Sequence, residues 1–245
     1  ACERFSRGPD PSFTRRVGVG KLRPMPARVA ILTPYGPPSP RGNAVTVARI
    51  ARALERSGVE LSLWDLSTRD EASIEAGIAE YAPALIHAFH AYRAGPLAMR
   101  LALRSRVPLV VTCTGTDANY DLDDPSRAEV VQKVLNAARR VTVFHASIAD
   151  RILRVLPAIR ERLTVVPQSV DLPMGEAFDL AARWPLPPER VLFLLPAGIR
   201  AVKNPAFPLA PLGRLVMTLP EIRLLYVGPV LNAGMGEALE RALHV

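Results

Sequence analysis

From Arg28 onward, short runs of β-branched and aliphatic residues alternate with helix-patterned segments, and this alternation limits the fold more than any other feature of the chain. The spacing predicts strands at 29–33, 59–64, 84–87, 109–113, 141–144 and 163–166, with helices near 44–57, 71–81, 95–105, 126–139 and 147–156. In the first helix Ala44, Val47, Ala51 and Leu54 recur on one face, and Gly58 supplies the stop signal. Strands that are apolar along their whole length, separated by helices, belong to a parallel sheet covered on both faces. Residues 27–170 therefore read as one doubly wound α/β domain.

The alternation then breaks. Residues 171–190 carry Pro173, Pro185, Pro187 and Pro188 with no sustained period, which reads as a linker. It restarts over 191–245, with strands at 191–195 and 223–227, a helix within 207–218 and another from about residue 236. Pro208 and Pro211 leave the start of the first of these helices unfixed. Two strands cannot bury both faces of a sheet, so 191–245 is expected to be the start of a second Rossmann-like domain, cut short.

The net charge of +8 invites a nucleic-acid reading until it is located. Residues 1–26 hold Arg4, Arg7, Arg15, Arg16, Lys21 and Arg23 against Glu3 and Asp10, so half the excess lies in a segment with no hydrophobic period. That segment lacks the apolar centre of a signal peptide and is expected to be a disordered or mis-assigned extension. The remaining cations are scattered along helices, which argues against a nucleic-acid partner and bears at most on peripheral contact with a membrane surface. No apolar run reaches the roughly 20 residues that cross a bilayer. Cys2 and Cys113 make neither a disulfide framework nor a zinc spacing, and a reducing cytoplasm fits best.

Ligands of open α/β sheets bind beyond the carboxyl ends of the strands, so the residues that follow each strand carry the chemistry. After the first strand the loop runs Thr33-Pro-Tyr-Gly-Pro-Pro-Ser-Pro-Arg-Gly-Asn43 into a helix. It lacks Gly-x-Gly-x-x-Gly, which argues against a nicotinamide or flavin enzyme. Gly42 and Asn43 can offer backbone amides to a phosphate or sugar hydroxyl, although Asn43 is equally suited to capping the helix. After the third strand come His87, His90, Tyr92 and Arg93. Two histidines suggest a metal pair, but no third ligand is evident; His90 suits a polar ligand and His87 a satisfied core position. After the fourth strand, Thr114, Gly115, Thr116, Asp117 and Asn119 can hydrogen-bond a polyol, or Asp117 and Asn119 can build an Asx turn. Ser147 to Asp150 reads as a capping box without chemistry, and His145 and His244 have no assigned role. In the second unit Gly198, Arg200 and Lys203 follow a strand and lead toward a helix. Two cations beside a glycine suit a diphosphate, whereas the isolated pattern also describes a solvated helix start.

Taken in order, these pieces resemble the retaining glycosyltransferases of family 4, with their two-Rossmann GT-B architecture. The likeness is strongest to the glycosyltransferase 1 domain-containing protein 1 group and weaker to the bacterial selenosugar synthases. It rests on Gly42-Asn43-Ala44-Val45-Thr46 with Arg49, and on Thr114-Gly115-Thr116-Asp117 with Asn119. It continues through Gln168-Ser169, Gly198-Ile-Arg200-Ala-Val-Lys203-Asn-Pro205 and Val227-Gly228-Pro229, over about residues 28 to 230. The resemblance implies a first domain that holds the acceptor, through His90, Thr114, Asp117 and Asn119. It implies a second domain that grips a nucleotide sugar, a UDP-sugar by preference. Arg200 and Lys203 match the cations that stabilise the leaving diphosphate without a metal or other cofactor, and Gly42, Asn43 and Gly198 join them in donor binding. Thr114 stands where many members have a histidine that touches the transferred sugar. The paired glutamates that hold the donor sugar would lie beyond Val245, so the chain by itself could be inactive. Two other readings are kept. A nucleotide-sugar 2-epimerase of the same architecture needs acid/base groups, for which only Asp117 and His90 are evident. A non-catalytic sugar- or nucleotide-binding module needs none.

Overall fold

A computed structural model describes residues 28–170, 175, 178–186 and 189–243. The expectation for residues 1–26 lies outside these, as does part of the 171–190 segment.

Six strands form one sheet: β1 (Arg28–Thr33), β2 (Glu60–Asp65), β3 (Leu85–Phe89), β4 (Leu109–Thr112), β5 (Arg140–Val143) and β6 (Leu163–Val165). Their order is β2-β1-β3-β4-β5-β6 and every pairing is parallel, as the continuous apolar runs predicted. Helices α1 (Gly42–Arg56), α2 (Glu71–Tyr81), α3 (Gly95–Ser105), α4 (Ala128–Ala137) and α5 (Ala146–Val155) connect them. The chain leaves β1 toward one side of the sheet, and from β3 onward it builds the other. Right-handed crossovers then place α1 on the opposite face from the helices that step the other way. The packing agrees. Val47 of α1 packs with Val29, Ile31 and Phe89, while Ile74, Leu97, Leu101, Val134 and Ile152 pack on Ala30, Leu32, Ile86 and Val111. Each such side chain stabilises the fold by about 1.5–3 kcal/mol on full burial.

Helix ends differ in detail from the sequence pattern. α2 is capped by Asp70, whose carboxylate accepts from the Ser73 amide at 2.8 Å. The capping box expected at Ser147 does not form. α5 begins one residue earlier, and His145 Nδ1 accepts from the Ser147 amide at 3.2 Å, so imidazole replaces hydroxyl as the cap. The 171–190 segment, expected to lack regular structure, contains a one-turn helix, α6 (Leu180–Arg183), capped by Asp179.

The second unit pairs β7 (Val191–Pro196) and β8 (Ile222–Val227) in parallel, with α7 (Leu209–Leu215) and α8 (Ala233–Leu243). α8 starts before residue 236 because Asn232 Oδ1 accepts from the Met235 amide at 2.9 Å. Two strands leave Phe193 42% and Leu194 55% exposed, which is the incomplete coverage that the strand count predicts. No helix among the described residues is long and apolar enough to cross a membrane.

Candidate functional site

Sheet order reverses between β1 and β3, and adjacent loops that turn to opposite faces open a crevice at such a switch point. A crevice of about 300 Å³ lies there. Its walls are Pro34, Tyr35, Arg41, Gly42, Asn43 and Thr46 of the β1–α1 connection and first helix, His90 and Arg93 after β3, Thr114 and Thr116 after β4, and Gln168 after β6, with Arg200 and Lys203 from the second unit.

The β1–α1 loop is pinned where it leaves the strand. Thr33 Oγ1 donates to the Tyr35 carbonyl at 2.9 Å, and the Gly36 amide donates to Asp65 Oδ2 at 2.8 Å. Arg41 lies over the Tyr35 ring, with its guanidinium carbon 4.1 Å from the centroid, a cation–π contact that orients the charge. Arg41 occupies the N-cap of α1 with extended backbone and no side-chain cap, so Asn43 is not the cap. The amides of Gly42, Asn43 and Ala44 precede the first helical bond, from the Val45 amide to the Arg41 carbonyl at 3.1 Å. A side chain at Gly42 would meet nothing within 4 Å, so open space adjoins this uncapped helix start. Asn43 donates through Nδ2 to Thr33 Oγ1 at 3.4 Å, while its buried Oδ1 has no partner. The loop after β6 closes on the same helix: Gln168 Nε2 donates to Thr46 Oγ1 at 3.1 Å, and Arg49 donates to the Ser169 carbonyl.

His90 is 4% exposed and adopts a positive φ of 83°. Its Nδ1 accepts from the Arg93 amide at 3.2 Å, which leaves Nε2 to donate to Thr116 Oγ1 at 2.9 Å. Burial lowers its pKa, Asp117 opposes that, and the Arg93 charge adds to it, so the ring is neutral near pH 7. His87 lies behind the crevice, hydrogen-bonded to Thr112 Oγ1 at 2.7 Å, in the core role that the sequence allowed. Among the described residues no group of three metal-ligating side chains gathers.

Asp117 was expected to touch a ligand, and the structure corrects this. It is fully buried at the start of a single π-helical turn, Asp117–Asp121, and its carboxylate accepts from the amides of Ala91, Thr114, Gly115 and Ala118 at 2.9–3.2 Å. With both oxygens occupied it ties the β3 and β4 loops together and holds His90 and Thr114 in place. Asn119 is exposed and does not line the crevice; its carbonyl accepts from Arg151. Gly198 does not line it either. A side chain there would come within 2.6 Å of Leu231, and the Ile199 amide donates to the Pro229 carbonyl at 2.9 Å. Gly198 thus permits two loops to cross tightly and so sets the position of Arg200. Arg200 precedes and Lys203 ends a short 3₁₀ turn, Ala201–Lys203, and α7 begins only at Leu209, so no α-helix N-terminus adds its field to this pair.

Residues 28–173 match the family described as Glycosyltransferase Family 4, which is more than half of the chain. The chain belongs to glycosyltransferase family 4. It is 25% identical to the Xenopus tropicalis glycosyltransferase 1 domain-containing protein 1 over 83% of its own length and 59% of that relative's. Among solved structures it resembles the S. aureus MnaA-UDP co-structure, with a TM-score of 0.61, 15% identity and coverage of 88% of this chain and 65% of that one. It also resembles UDP-GlcNAc 2-epimerase from Neisseria meningitidis bound to UDP-GlcNAc, with a TM-score of 0.59 and 11% identity over 89% and 70% of the two chains. At these identities the likeness is one of fold, and that fold is the GT-B type.

In this family 4 chain the crevice gathers Gly42, Asn43, His90, Thr114, Arg200 and Lys203 of the residues singled out from sequence. It also holds Thr116 of the Thr114-to-Asp117 motif, Arg41, which the sequence did not single out, and Arg93, which appeared there only as a neighbour of His90. Arg41, Arg93, Arg200 and Lys203 are four cations, and among the described residues no Asp or Glu lines the space. Among the described residues none of the four takes part in an ion pair.

Proposed function

We propose that the chain carries the acceptor domain and part of the donor site of a glycosyltransferase that uses a nucleotide-diphosphate sugar. One observation carries this reading: Arg200 and Lys203, in no ion pair among the described residues, border one crevice with an uncapped helix start and no acid among its described lining residues. Such a lining attracts a diphosphate. Arg200 and Lys203 would face the phosphates and oppose the charge that grows on the leaving group, the largest electrostatic requirement of transfer. No step in this reading calls for a metal. Retention would follow from attack on the face that the leaving group departs, with the departing phosphate oxygen taking the acceptor proton. Neutral His90 and Thr114 would contact the acceptor, held by Asp117 beneath them. The 2-epimerase reading has less support. Epimerisation at carbon needs a base, and of the two candidates Asp117 already accepts from four amides while His90 is held between the Arg93 amide and Thr116 Oγ1.

Titration calorimetry with UDP tests the donor assignment. Arg200→Ala or Lys203→Ala should each weaken UDP binding by about 1.5–3 kcal/mol, the loss of a charge-assisted bond. Thermal stability should barely move, because neither side chain forms an ion pair among the described residues. Unchanged UDP affinity in the double variant would reduce the pair to a solvated turn and remove the chemical basis of the proposal.

A further inference from the structure

A nucleotide-diphosphate sugar carries one charge on each phosphate, which Arg200 and Lys203 balance. Arg41 and Arg93 are then left over. They belong to the six-stranded unit, leave the sheet after β1 and β3 on the two sides of the switch point, and line the crevice, whose described lining residues include no carboxylate. Arg41 is held by the Tyr35 ring at 4.1 Å, so its charge is oriented before any ligand arrives. At the start of α1, Asn43 also lines this crevice, and its Oδ1 is buried without a hydrogen-bond donor among the described residues; an orphaned acceptor of this kind calls for a hydroxyl to satisfy it. Uncompensated positive charge with a waiting hydroxyl acceptor describes a hydroxylated anion.

We propose that the acceptor bears a phosphate or carboxylate beside the hydroxyl that receives the sugar, with Arg41 and Arg93 holding that anion and Asn43 Oδ1 accepting from a hydroxyl. This rests on the donor reading for Arg200 and Lys203, and the test keeps the two apart.

Inorganic phosphate is titrated by calorimetry into the intact chain, into the Arg200→Ala, Lys203→Ala double variant, and into an Arg41→Gln, Arg93→Gln double variant whose side chains keep part of their stems. The proposal predicts two phosphate sites in the unaltered chain. The first variant keeps one site with its affinity within about twofold. The second loses that site, and its UDP affinity is unchanged within about twofold. Acetate that displaces phosphate from the first variant assigns a carboxylate-bearing acceptor, and failure to displace assigns a phosphate-bearing one. A single phosphate site that vanishes with Arg200 and Lys203 overturns the proposal. So does a tenfold loss of UDP affinity in the second variant, which would make Arg41 and Arg93 part of the donor site. Absence of UDP binding in the unaltered chain would count against the donor reading alone, since the phosphate site of the first variant is read without UDP.

Discussion

His87 and His90 lie on one strand and its following loop, and their surroundings set them apart. His87 stacks on Phe89 with ring centroids 4.4 Å apart and bonds to Thr112, which in turn shares a hydrogen bond with Thr142 at 2.7 Å. Burial pulls its pKa down to about 4 from 6.5. Between those values the unfolded chain takes up a proton that the folded chain refuses, so stability falls as pH drops through the window and is unaffected above it. The loss approaches about 2–3 kcal/mol near pH 4. Urea unfolding at pH 7, 5.5 and 4.5 should show this slope, and His87→Gln should flatten it; equal slopes would mean that the ring protonates freely in the fold. Cys113 is inert by the same physics, since burial and the neighbouring Asp117 charge push its thiol well above the usual range. Sequence pattern placed both histidines at the right strand end. The tautomer of His90 and the saturation of Asp117 were not legible, because both depend on which amides the neighbouring loops present.

At the scale of elements, the strands and helices of the first unit follow from periodicity alone, because a sheet covered on both faces writes its burial directly into apolar runs. The connections are less legible. The β4 loop was read as a ligand surface, yet Asp117 turns inward and joins it to the β3 loop. Asp117→Asn should therefore cost about 2–3 kcal/mol, because an amide nitrogen would face backbone N–H groups that have lost their acceptor. Thermal and urea unfolding should both register it. A change under about 0.5 kcal/mol would show that the carboxylate faces the crevice instead. In the second unit the helix expected within 207–218 forms at Leu209–Leu215, and a 3₁₀ turn at Ala201–Lys203 precedes it, with Pro205 and Pro208 shaping the intervening stretch.

For the whole molecule, the site is a product of topology. Arg41, Arg93 and Thr116 are far apart in sequence, and the reversal of strand order between β1 and β3 brings their loops to one edge, where Lys203 of the second unit joins them. That convergence was legible as a rule of parallel sheets, while the membership of Arg41 was not, since an arginine before a helix usually reads as solvated. The central claim is that one nucleotide-diphosphate ligand spans both units through this crevice. Amide hydrogen exchange with and without UDP tests it most directly. The account predicts that UDP slows exchange together at Gly42–Thr46 and at Arg200–Asn204, with β2, α2 and α3 unchanged. Protection confined to one of these segments, or absent from both, would contradict it.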